Sequence, residues 1–97
     1  MAWYVVSYDL RREVTSADYE RMFSALKGAT DWCRALFSFW IIETPRTPTE
    51  VIHILRTVGA LDENDGVVVL EITGKGDFRR VLDQDVANWL TQRITRA

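Results

Sequence analysis

The stretch AWYVVSYD, residues 2–9, limits what this chain can become more than any other, because neither of its faces is polar. Dense in Val, Tyr and Trp and followed by the polar DLRREVTSAD, it reads as a β-strand. Side chains alternate along a strand, so Trp3, Val5, Ser7 and Asp9 share one face, and Tyr4, Val6, Tyr8 and Leu10 share the other. A sheet covered on one side alternates apolar with polar residues, whereas this strand asks for cover on both. VVVLEIT repeats the pattern, with Val67 and Val69 opposite Val68, Leu70 and Ile72, and in the middle of the chain Trp40 and Ile42 oppose Phe39 and Ile41.

Helical periods separate these strands. Tyr19, Met22, Phe23 and Leu26 recur at i, i+3, i+4 and i+7, with Thr15 or Ser16 to cap the start and Gly28 suited to a left-handed residue beyond the end. TDWCRALFSFWIIET is long for one strand and splits near Phe37 and Ser38 into a tight hairpin; one bent strand is the alternative. In TPTEVIHILRTVG, Thr47 caps, Pro48 takes the first helical position, Glu50 completes a capping box and Gly59 closes the helix over a buried stripe of Val51, Ile54, Leu55 and Val58. LDENDG turns the chain into the last strand and GKG ends it. After a short turn over 78–82, Val86, Trp89, Leu90 and Ile94 mark a final amphipathic helix.

This order predicts an α+β, ferredoxin-like βαββαβ fold: a four-stranded antiparallel sheet, two helices on one face and a C-terminal helix. With 97 residues, 47% apolar, the chain makes one domain, a core over about 2–73 and a helical extension over about 77–97. The two crossover helices hide one face. The tail helix can hide the second, but a partner sheet across a symmetric homodimer is the more natural cover. A net charge of −2 argues against wholesale attraction to phosphate, although ten of the twelve basic side chains are arginines, which grip phosphate or carboxylate in pairs. The single cysteine, the absence of a basic leader in MAWYVV and the shortness of every apolar run predict a cytoplasmic protein without a membrane span.

WYVVSYDL, the aromatic-bearing first helix, the SFWIIET hairpin, the short second helix and the DGVVVLEIT strand together resemble the small CRISPR-associated ferredoxin-like proteins of the Cas-two type, and most closely their stand-alone relatives. The likeness covers about residues 2–73, and SYDL is its one specific motif. It implies that Asp9 holds a divalent metal with its symmetry mate for phosphodiester cleavage and that nucleic acid is the partner; the chemistry of a lone carboxylate suggests magnesium as that metal. Magnesium accepts one or two carboxylates and fills its octahedron with water and phosphate, and Ser7, two residues earlier on the same face, can hydrogen-bond a metal-bound water. The first helix departs from the family's DNA-binding members, since Arg21 and Lys27 are offset by Asp18 and Glu20. The plain alternative for Asp9 is a strand end tied to its loop or to Arg11 or Arg12.

Arg11, Arg12, Arg34 and Arg79 are the candidate nucleic-acid contacts, with Arg46 and Arg80 in similar loops and Trp32 or Phe78 as stacking surfaces. Glu71 is the acid inside the last strand and is expected near Ser7 or Trp3, as a second ligand or an ion-pair partner. His53 falls off its helix's apolar stripe and reads as solvated; Cys33 reads as a small buried group; DENDG lacks calcium-loop spacing and GKG lacks the phosphate-loop frame. Three functions follow: a metal-dependent endonuclease, a binding module without chemistry, or a regulatory, toxin-like dimer.

Overall fold

The computed structural model describes residues 1–11 and 15–95. Its elements are β1 (Ala2–Asp9), α1 (Ser16–Leu26), β2 (Asp31–Leu36), β3 (Phe39–Thr44), α2 (Pro48–Thr57), β4 (Gly66–Glu71) and α3 (Gln84–Arg93). The strands form one antiparallel sheet in the order β2-β3-β1-β4, an α+β architecture consistent with the ferredoxin-like plan. Arg12 lies outside the described residues.

Local chemistry explains the element ends. Thr15 and Asp18 form a reciprocal capping box at the start of α1, and Thr47 and Glu50 form another on α2, with Pro48 where its missing N–H costs nothing. The Thr47 bonds hold the Glu50 carboxyl below its ordinary pKa. Phe37 and Ser38 turn the expected hairpin. Gly59 takes the left-handed φ of 80° beyond α2. Gly28 does not: α1 leaves through Lys27 in a right-handed conformation, and the Gly28 N–H donates to the Ala25 carbonyl at 3.2 Å. Val58 is also corrected, because α2 ends before it and leaves it 48% exposed, so that Val51 and Leu55 carry the burial.

Between the sheet and α1 and α2 lies the larger core. Tyr4, Val6 and Tyr8 of β1 and Trp40 and Ile42 of β3 meet Met22, Leu26, Val51 and Leu55. The polar tips of this layer are satisfied: Trp40 Nε1 donates to the Tyr8 hydroxyl at 3.2 Å, and the Tyr4 hydroxyl donates to the Arg46 carbonyl at 2.7 Å.

The second face is where expectation and structure part. The chain covers much of it itself. Leu90 of α3, 1% exposed, packs with Cys33, Ala35 and Ile41, while Phe78, Val81, Val86 and Ile94 close around them. Cys33 and Ala35 are small enough to leave a socket for Leu90. Trp89 packs on Trp3 with ring centroids 5.7 Å apart, and Arg93 binds Asp31 at 2.8 Å while lying over the Trp89 ring. A twin sheet is therefore not needed over β2 and β3; what stays open is the β4 side, where Val68 and Leu70 are 52% and 60% exposed. The expected turn over 78–82 is an irregular loop with Arg80 at a left-handed φ of 55°. Among the described residues no helix is long and apolar enough to cross a membrane.

Leu90→Ala empties the socket and should cost about 3 kcal/mol in urea unfolding; a loss below about 1 kcal/mol would show that α3 is not seated there. Burial alone would raise the Asp31 pKa, but bonds from Trp89 Nε1, the Trp32 N–H and Arg93 outweigh it and set the pKa below its ordinary value. A carboxyl whose pKa is depressed on folding stabilises above its unfolded value and loses that contribution as pH falls through the folded one. Acid titration of stability should therefore fall more steeply in the wild type than in Asp31→Asn, and parallel curves would contradict this.

Candidate functional site

The strand-end acid is answered by its neighbours. Asp9 closes β1 opposite Gly66, the first residue of β4. Its Oδ2 lies 3.4 Å from Arg11 Nε, and the Arg11 backbone N–H donates to Asp65 Oδ1 at 3.0 Å. Asp65 also accepts from the Asp62 N–H, and Asp62 from the Asn64 N–H, so the acidic turn folds around its own backbone donors. The greasy strand thus ends on a carboxylate that meets an arginine at the point where β1 leaves the sheet.

The described donors of one chain lie apart around Asp9. Ser7 is half-buried between Phe39 and Val68 on Asp9's face. Glu71 stands opposite Tyr4, not Ser7, on the other face and at the other end of β1 from Asp9. Among the described residues no three His, Cys, Asp or Glu side chains gather as a metal site.

Nor do the described members of the expected arginine set, Arg11, Arg34 and Arg79, assemble. Arg11 is engaged by Asp9 and Asp65; Arg79 is exposed on the second face, beside an apolar groove of about 330 Å³ lined by Phe39, Ile41, Ile72 and Phe78; Arg46 and Arg80 are exposed elsewhere. Among the described members of that set, Arg34 sits in a built environment. Its guanidinium lies between the Phe23 and Phe37 rings, 4.3 and 4.7 Å from their centroids, and its Nε donates to the Phe37 carbonyl at 3.0 Å.

That environment extends along α1 and the β2 edge. Lys27 Nζ stands 5.0 Å over Trp32, Trp32 packs on Trp40, and Tyr19 meets Phe37 edge-on. Trp32 is 37% and Phe37 58% exposed. Among the described residues no carboxylate lies within ion-pair distance of Lys27 or Arg34, so two cations and two open rings share one surface. The ordering of Arg34 also reaches Tyr8: burial pushes its hydroxyl pKa up, and the Trp40 bond and the Arg34 charge oppose that rise. Lys27, Phe23, Tyr19 and Phe37 escaped sequence reasoning as site residues. The available signal was the i, i+4 aromatic pair on α1 facing the hairpin turn.

Other candidates resolve simply. His53 is exposed on α2 near the Thr57 hydroxyl. Cys33 is 4% exposed and burial pushes its thiol up to about 11. Compared with known proteins, the chain matches no family model, no curated protein and no solved structure.

A neutral, buried thiol is a poor nucleophile. Iodoacetamide at neutral pH should leave Cys33 unmodified in the folded chain and alkylate it in urea; rapid labelling of the native protein would contradict its placement beneath α3.

Proposed function

We propose that this chain is a nucleic-acid-associated protein of the ferredoxin-like, Cas-two-like kind that works by binding rather than by chemistry, taking single-stranded nucleic acid on the α1–β2 surface. The observation that carries this reading is the pairing of exposed rings with cations that, among the described residues, have no carboxylate within ion-pair distance: Phe37 with Arg34, and Trp32 with Lys27. Unpaired bases stack on aromatic faces whatever their identity, and nearby cations hold the backbone phosphates. A surface with two rings and two cations suits a short stretch of strand, and the overall charge of −2 favours modest, salt-sensitive affinity. Such binding serves an accessory or regulatory protein as well as a nucleic-acid-processing one.

Magnesium-dependent cleavage through Asp9 remains the second expectation, favoured by the 74% exposure of that side chain at the end of a central strand. That reading takes its second carboxylate from the symmetry-related Asp9 of a partner chain.

Fluorescence anisotropy with oligo-dT and oligo-U tests the binding reading. Binding should weaken as salt rises, and Phe37→Ala should cost about 1–3 kcal/mol, roughly 5- to 150-fold in Kd. Arg79→Ala, on the other face, should leave affinity unchanged. No retention at low salt, or equal affinity in Phe37→Ala, would contradict the assignment. Cleavage that needs magnesium and disappears in Asp9→Ala would instead favour the metal reading.

A further inference from the structure

We propose that this chain pairs with a second copy of itself through the outer edge of β4, strand against strand and antiparallel about Val69. The inference is independent of the nucleic-acid reading, whose surface lies at the opposite edge of the sheet, on β2.

β4 is an edge strand, and its ladder fixes which backbone groups it leaves unpaired. The Ile72 N–H donates to the Trp3 carbonyl, and Tyr4 stands opposite Glu71. Hydrogen-bonded and non-bonded pairs alternate in an antiparallel ladder, so Val68 and Leu70 direct their N–H and C=O groups to β1, while Val67, Val69 and Glu71 direct theirs outward. Among the described residues nothing bonds those outward groups. Edges that stay single are blunted by lysine, proline, a bulge or a covering segment. GVVVLE has none of these protections within the strand, and Glu71, its one charge, stands at the far end.

A register centred on Val69 makes the strand complementary to itself. A two-fold axis at Val69 sets that residue against the partner's Val69 and sets Val67 against the partner's Glu71, so outward groups meet outward groups on both strands. Between them Val68 falls opposite the partner's Leu70 in a non-bonded pair, where Cα atoms approach to about 4.5 Å. The two open apolar side chains of this strand thereby cover each other, and the two Glu71 carboxylates stand at opposite ends of the seam. Slipping the register by two residues towards the start of the strand sets Glu71 against the partner's Asp65, acid against acid. Charge thus disfavours that slip, and the axis at Val69 is the register that sets Val68 and Leu70, the two exposed apolar side chains, against each other.

Stable interfaces use about 20–30 residues a side, and a six-residue strand supplies a fraction of that. The dimer is accordingly weak and forms with rising concentration. It also separates the two Asp9 residues: each lies opposite its own Gly66, and the two Gly66 positions are offset by about 20 Å along the seam. An edge dimer cannot share one ion between them.

Sedimentation velocity across a concentration series, combined with amide exchange by NMR on the wild-type chain, tests the proposal. The mass should double as concentration rises, and the Val67, Val69 and Glu71 amides should gain protection in step, while Val68 and Leu70 are protected throughout. The Val68→Lys, Leu70→Lys double variant, altered only at exposed side chains, should stay monomeric. A wild type that remains monomeric at the highest soluble concentration overturns the inference. So does a dimer whose outward amides stay unprotected, which would place the seam on a face, and so does a double variant that dimerises as the wild type does.

Discussion

The seating of α3 on the second face of the sheet governs the rest of this molecule. A strand such as β1, apolar on both sides, cannot stand in water with only two crossover helices beside it. Leu90 fills the space left by Cys33 and Ala35, Trp89 leans on Trp3, and Arg93 reaches Asp31 across the β2 edge. The apolar contacts supply most of the attraction, since apolar burial scales with area while a partly exposed ion pair contributes little. The ion pair and its indole donor instead fix where the end of the helix lies. With much of β2 and β3 covered from within on that face, Val68 and Leu70 of β4 are left as the exposed apolar pair on its far side.

That cover changes what the acids and arginines mean. Asp9 becomes one member of a small tie between the end of β1 and the turn before β4, with Arg11 bridging the side chain of one and the carboxylate of the other. Arg34, by contrast, lays its charge on two aromatic faces, and among the described residues no carboxylate lies within ion-pair distance of it. Cations held against rings keep their attraction for phosphate while presenting it from a fixed position. The two edges of the sheet then differ in chemistry: β2 offers rings and cations, and β4 offers bare backbone and valine.

The elements were legible in the sequence because their signals are local. Thr47, Pro48 and Glu50 stand within four residues of one another, and the alternation of β1 needs no distant partner to be seen. The doubly apolar character of the strands was equally plain. Which object met that demand was not, because a helix and a twin sheet are interchangeable as apolar cover until geometry is known; the socket over Cys33 and Ala35 exists only once β2 and α3 are brought together. The same reason hid the α1–β2 surface. Arg34 was named among scattered basic residues, but Phe23, Phe37 and Lys27 approach it from other elements, and no spacing announces that meeting. Val58 and Gly28 went astray on helix boundaries, where one residue decides between burial and exposure.

This chain covers much of its own second sheet face with α3. An isotope-filtered NOE experiment on a mixture of labelled and unlabelled chains examines it directly. Contacts are expected from the Leu90 methyls to Ile41 and Ala35, and from the Trp89 indole to Trp3, all within one chain. Their absence, or their appearance only between chains, would contradict it.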